Sequence, residues 1–256
     1  MPEREEKGLL YAEYLMLNQV LSAQHPRSGE PDELQFIVVH QVHELWFKLT
    51  LSFLERARAA LEEDQIAGAT RLIGQVTSIL DTLILTVEHL HSLPPLMFHR
   101  FRALLAPGSG LQSVQFREIE LVCGLREAHY VEWVQRQLTR TGDWGRIAYR
   151  LEEPSLNECF QQAVTRQGLP DLVTLYANPA AHGSLYLLAE ALSTLEHRVL
   201  QWRARHIQLV ERTIGVQVVG TGGTTNDYLQ ATLQHRLFPG LWEARNELSR
   251  RVESRQ

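Results

Sequence analysis

Eleven histidines in 256 residues are the part of this sequence best equipped for chemistry, because imidazole serves as metal ligand, hydrogen-bonding group and proton carrier near neutral pH. His206 lies in "WRARHIQLVERTIG", four residues after Trp202 and just before Leu209 and Val210. Residues three and four apart share one side of a helix, so its ring must point into a partner, a cofactor or a core. His40 lies in "FIVVHQVHELWFK", with Phe36 at i−4, His43 at i+3, Glu44 at i+4 and Phe47 at i+7. An aromatic pair around a polar group is the composition of a pocket wall. A core histidine hydrogen-bonded to a neighbour has the same pattern, and both readings stand for His40 and for His206.

Other segments narrow the chemistry. "HELWF" is not a zinc-protease helix, since HExxH requires a second histidine where this chain has Phe47. Glu88 with His91 is the one Glu-x-x-His pair, whereas a di-iron bundle needs two on separate helices. "GTGGTTND", residues 220–227, lacks the Lys-Ser/Thr of a Walker loop. Its glycines fit either a plain connection or a loop closing over a ligand, with Thr221, Thr224 and Thr225 offering hydroxyls. "FHRFRALLAPGSG" sets Phe98, Phe101 and Arg102 together on a short helix. An arginine beside aromatics is either solvated with a packed stem or turned inward, where its planar fork suits a carboxylate.

These groups need a scaffold, and the periodicity is helical throughout. Apolar residues recur at Leu9, Leu10, Tyr14, Leu17 and Leu21, and at Ile73, Val76, Ile79, Leu80, Leu83 and Val87. Breaks fall at "HPRSGEPDE", "SLPP", "APGSG" and "ANPAAHG", and Gly215 suits a helix cap. "VQVV" before the glycines could be a short extended piece but makes no sheet. The prediction is an all-α, single-domain helical bundle over residues 1–256. Its two strongest helices, near 33–62 and 183–214, are expected to pack against each other.

The apolar share of 44% excludes a disordered chain. Net charge is −5 without a basic block, which argues against nucleic acid as a partner. No run reaches the roughly 18 apolar residues of a membrane span, and "MPEREEKG" does not resemble a secretory signal, so no membrane association and a cytoplasmic location are expected. Cys123 and Cys159 form neither a disulfide framework nor a CxxC or CxxCH motif, leaving other residues to hold any metal or cofactor.

Six stretches together resemble the tryptophan 2,3-dioxygenases, heme-dependent enzymes that open the indole ring of L-tryptophan. They are "YAEYLMLNQVLSAQHP", "DELQFIVVHQVHELWFK", "FRALLAPGSGLQSVQFREIE", "WRARHIQLVERTIG", "GTGGTTNDYL" and "RLFPGLWEARNEL". They follow the family's order and cover most of the chain.

The resemblance implies heme b (iron protoporphyrin IX) with His206 as the proximal iron ligand. It implies His40 as the distal catalytic histidine and Phe36 lining the indole site. Arg102 matches the arginine that pairs with the substrate carboxylate, and Phe98 an aromatic position one turn earlier. Ser109 falls on a serine of the cofactor-side segment, here "PGSG", and Thr221 on the threonine that receives the substrate ammonium. Tyr11, Tyr14 and Leu15, on an N-terminal helix near residues 8–24, match residues lent to a neighbouring subunit's site, which implies a homotetramer. L-tryptophan and O₂ are the implied substrates and N-formyl-L-kynurenine the product.

Two departures bear on the lid side of the site: a shorter stretch between "REIE" and the His206 helix, and a glycine loop one residue longer before Gly220. They leave open a pathway-specific relative that adds one oxygen atom to a substituted tryptophan, giving an oxindole-type product. A non-enzymatic heme-binding or heme-sensing protein is the reading from another class.

Overall fold

A computed structural model describes residues 8–223 and 225–254, and every structural statement below refers to these residues. They form an all-helical bundle with no strand. Three elements carry the architecture: α3 (Glu33–Glu62), α4 (Ile66–His89) and α11 (Gly183–Ile214). The remaining helices are α1 (Tyr11–Tyr14), α2 (Leu17–Val20), α5 (Pro95–Leu105), α6 (Val114–Cys123), α7 (Ala128–Thr139), α8 (Trp144–Glu152), α9 (Leu156–Arg166), α10 (Leu172–Ala177), α12 (Asn226–Ala231) and α13 (Pro239–Glu253).

The spacing of α4 explains its place. Ile66, Ala69, Leu72, Ile73, Val76, Ile79, Leu80, Leu83 and Val87 recur every three or four residues and are all buried. α4 is the apolar helix long enough for a membrane span, and here that stripe serves as core. Both α3 and α11 pack along it. This corrects the expectation that the two long helices pack chiefly on each other: α4 is their shared partner, and they approach one another through the rings of His43, Phe47 and Trp202. One apolar face of α4 is wide enough for two neighbours, and helices seated on a third this way leave a groove between them.

Polar side chains fix where the long helices begin and how they sit. The Glu33 carboxylate, buried at the start of α3, accepts the backbone N–H groups of Arg27 and Ser28 at 2.8 and 2.7 Å, wrapping the preceding loop onto the helix. α11 stops at Gly215, whose φ of +85° suits only glycine without strain. The buried Glu196 accepts the backbone N–H groups of Leu237 and Phe238 at 2.7 and 2.8 Å and the Trp242 indole N–H at 2.5 Å, docking "RLFPGLW" on α11. Gly124, at φ +141°, lies so close to that segment that a Cβ would sit 2.6 Å from the Leu237 carbonyl oxygen.

The N-terminal helix expected near residues 8–24 is two single turns, broken at Met16, whose φ of +53° is left-handed. "VQVV" is a turn leading into the glycine loop.

A buried ionic cluster ties α11 to α6 and α7. The Glu120 carboxylate accepts from Arg203, from the Tyr130 hydroxyl and from Arg117 at 2.8 Å, and Arg203 also donates to the Thr232 carbonyl at 2.9 Å. Burial opposes the charge on Glu120, and the two guanidiniums overcome it, holding its carboxyl below the usual range. Glu120→Gln should therefore destabilise the fold by about 3–5 kcal/mol, the cost of breaking a buried pair and leaving charge uncompensated. Urea denaturation measures this, and a loss under about 1 kcal/mol, the scale of an exposed pair, would mean the cluster does not anchor α11.

Candidate active site

The groove between α3 and α11 is lined by the histidines singled out from the sequence. On α11, Trp202 and His206 are one turn apart and their rings stack, 5.6 Å between centroids and 8° from parallel. Trp202 is wedged among Phe116 at 4.7 Å, Phe47 at 6.1 Å and His43 at 6.1 Å, so the packing of α3 and α6 sets the plane of the His206 ring. No side chain or carbonyl hydrogen-bonds the His206 imidazole. Its pKa is pushed down to about 4, first by burial and then by His40 and His43 across the groove. It is therefore a neutral imidazole with a free lone pair at pH 7.

On α3 the His40 ring bonds through Nδ1 to the Phe36 carbonyl at 2.7 Å, and His43 bonds through Nδ1 to the Val39 carbonyl at 2.8 Å. In each case Nδ1 must carry the proton, which leaves Nε2 as an acceptor. Burial lowers both pKa values and the carbonyls offset it in part. The Trp202 indole Nε1 is buried with no partner among the described residues, whereas the buried His43 ring lies between the backbone of Val39 and that of Leu83 on α4. Val39, Val87, Leu90 and Leu209 close the apolar end of the groove as a small core separate from the main one, with Phe36 and Trp202 on its edge.

A narrow aromatic recess opens beside His40. Phe36 stands 4.1 Å from the His40 ring, 5.7 Å from Phe98 and 5.8 Å from Phe101, and Phe98 meets Phe101 edge-on at 5.3 Å. Phe98, Phe101 and Arg102 come from α5, started by Pro94 and Pro95, and i, i+3, i+4 spacing turns them to one side. Phe101 is fully buried and anchors that helix, while Arg102 reaches the rim.

The glycine loop crosses the rim and is tethered to it at three points. The Arg102 guanidinium donates to the Val219 carbonyl, and the Thr221 hydroxyl donates to the Gly108 carbonyl at 2.8 Å. Gly222 abuts Ser109 so closely that a Cβ there would lie 2.5 Å from both the Cβ and the hydroxyl of Ser109. The Ser109 hydroxyl itself accepts from the Leu111 backbone N–H at 3.3 Å. Thr224 falls outside the described residues; Thr225 caps α12, accepting from the Tyr228 backbone N–H at 3.3 Å.

The structure sets His206 opposite His40 and puts Phe36 against His40 and Phe98, while Arg102, Ser109 and Thr221 meet the glycine loop or its anchor segment. Tyr11, Tyr14 and Leu15 stand exposed at 75, 69 and 39% on the N-terminal arm. Sequence reasoning assigned no role to the Val219 and Gly108 carbonyls, because backbone acceptors leave no signature in residue type. It also missed the roles of Phe101 and Arg203, whose neighbours come from distant segments. A neutral imidazole free to ligate, stacked on Trp202 and set opposite His40, fits a metal-bearing cofactor held from α11.

The family model for tryptophan 2,3-dioxygenase matches residues 2–170 and 170–248. The chain is 36% identical over 269 aligned positions to the tryptophan 2,3-dioxygenase of Pseudomonas fluorescens, covering 94% of this chain and 92% of that protein. It is likewise 36% identical to those of Ralstonia pickettii and Cupriavidus necator, over 94% of this chain and 94% and 89% of theirs.

The tight seat of Gly222 gives a direct test of the loop's position. Gly222→Ala should push the loop off Ser109 and raise the rate of limited proteolysis within residues 216–223 several-fold, with the thermal midpoint nearly unchanged. Unaltered cleavage would show that the loop does not depend on that contact.

Proposed function

Because the chain belongs to the tryptophan 2,3-dioxygenase family, we propose that it holds heme b through His206 and cleaves the indole C2–C3 bond of L-tryptophan with O₂. The product is N-formyl-L-kynurenine, with both oxygen atoms incorporated. The observation that carries this reading is the meeting of an unpartnered neutral imidazole on α11 with a distal histidine and an aromatic recess on α3 and α5. Bound heme supplies the capture and activation of dioxygen at its iron.

The chain's own residues do the rest. Tryptophan is a zwitterion with an apolar ring, so its site needs a cation, acceptors and an aromatic slot. Phe36, Phe98 and Phe101 form the slot. Arg102 exchanges its bond to the Val219 carbonyl for the substrate carboxylate, a charged and bidentate partner. Thr221 receives the ammonium on the loop that covers the rim. His40 presents Nε2 as an acceptor to the indole N–H, which orients the ring. It is not an obligatory base, because an indole N–H is too weakly acidic for an imidazole whose pKa burial has lowered. Loop and recess together exclude water from the reacting atoms.

The N-terminal arm belongs to the same proposal. Its exposed Leu9, Leu10, Tyr11 and Tyr14, together with Leu34, Val38, Leu45 and Leu49 on one outward side of α3, make an apolar surface suited to a second copy of the chain. In a homotetramer Tyr11, Tyr14 and Leu15 would then complete a neighbour's site.

Incubation of the ferrous heme protein with L-tryptophan under ¹⁸O₂ tests the reading. Two labelled atoms in a ring-opened product support it; one atom with the indole ring intact supports the mono-oxygenating alternative on a substituted tryptophan. His206→Ala should abolish the Soret band, and normal heme content in that variant would assign the axial role elsewhere. Arg102→Ala should weaken tryptophan binding by about 2–4 kcal/mol, the range for a lost buried charge contact. Unchanged turnover would remove Arg102 from the site.

A further inference from the structure

A second cavity, of about 290 Å³, opens between α7 and α12, apart from the groove. Arg117 stands between the two: its guanidinium lies 4.9 Å from the ring of Phe116, which packs on Trp202 beside the groove, and 5.6 Å from the ring of Trp133, which lines the cavity. Tyr130, Trp133 and Tyr228 give the cavity aromatic walls, His235 closes its inner end, and the exposed His129 and Arg136 stand at its mouth. Trp133 stacks on Tyr130 at 5.9 Å and 25° and on Tyr228 at 5.2 Å and 27°. Stacking of this kind explains why α12 seats on α7. It does not explain two polar features of the same cavity. The His235 ring meets Tyr130 edge-on at 5.3 Å, and its Nδ1 is buried with no partner among the described residues. Burial first, and then Arg203, pushes the His235 pKa down to about 4, so the imidazole is neutral at pH 7 and its Nδ1 is a polar atom for which the fold supplies nothing. Arg136 is the second feature. No aspartate or glutamate lines the cavity, and Arg136 has no ion-pair partner among the described residues, whereas Arg126 meets Glu158 at 3.3 Å, Arg146 meets Glu118 at 2.6 Å and Arg150 meets Glu55 at 2.5 Å.

We propose that this cavity is a separate binding site for a planar heteroaromatic carboxylate, with the ring against Trp133 and Tyr228, a ring N–H donating to His235 Nδ1 and the carboxylate paired with Arg136. Each part of such a ligand answers one feature of the cavity. Flat aromatic walls favour a flat aromatic guest. A ring N–H satisfies the buried imidazole nitrogen, which an all-carbon ring would leave unpaired. The guanidinium fork takes both oxygens of a carboxylate at the open end. The volume is near the lower end of small-molecule pockets, about 300 Å³, which suits one fused bicyclic ring with a short acidic arm. The site contains no group of the proposed substrate groove and is a place of binding, not of reaction.

The test is calorimetric titration of the heme-loaded protein with indole-3-acetate, with the Soret band recorded on the same samples. Binding in the groove would perturb that band; binding between α7 and α12 is expected as a heat signal that leaves it unchanged. Arg136→Gln, a change at an exposed position, should weaken this Soret-silent event about tenfold, the scale of one charged contact. Trp133→Leu should remove it, and if that variant fails to fold, Arg136→Gln and a second probe decide. The second probe is naphthalene-1-acetate, which keeps the bicyclic ring and the acid but has no ring N–H. It should bind the parent about tenfold more weakly than indole-3-acetate, and His235→Phe should abolish the difference between the two. No Soret-silent binding at millimolar probe, or binding of unchanged strength in Arg136→Gln, overturns the site. Equal affinity of the parent for the two probes overturns the pairing with His235.

Discussion

α3 and α11 share α4 as their packing partner, and the groove that holds the candidate site exists because of it. Had the two long helices buried their stripes on each other, His206 would face the side chains of α3 at van der Waals distance, with no room for a planar group. Seated side by side on a third helix, they keep His40 and His43 near enough to lower the pKa of His206 and far enough apart to leave a slot.

Electrostatics then decides what the slot can hold. The charged groups that anchor α11 are gathered behind it, where Glu120 meets Arg117 and Arg203, and Glu196 meets the backbone of residues 237 and 238. The groove itself is left with neutral imidazoles and aromatic faces. A neutral histidine in a dry setting is a ready metal ligand and a poor cation. The division of labour places net charge in the scaffold and polarisable, uncharged groups where chemistry is proposed. Positive charge returns at the rim, with Arg102.

The loop connects these regions. It leaves α11 at Gly215, nine residues after His206 in the sequence, and its tethers reach α5 and the segment after it. Two of the three tethers use backbone carbonyls and the third is a steric contact of Gly222. Such bonds are individually modest and exchange easily with a better partner. A carboxylate offered to Arg102 is such a partner, so the loop's attachment and the substrate's charge are coupled through one guanidinium.

Much of this was legible in the residues alone. Helical periodicity and the breaks at "HPRSGEPDE", "SLPP", "APGSG" and "ANPAAHG" located the long helices, because i, i+3, i+4 spacing and turn chemistry are local properties of the chain. The same spacing put Trp202 beside His206 and Phe98 beside Arg102. What the sequence could not decide was which helix lies between which. The stripes of α3, α4 and α11 are interchangeable as apolar surfaces, and only simultaneous packing selects α4 as the shared face. Nor could it foresee the break at Met16, or that Arg102 would rest on a carbonyl 117 positions away. Side-chain types and their periodicity are written in the chain; pairings between distant segments are settled by which burial of all the apolar faces at once leaves the fewest polar groups unsatisfied.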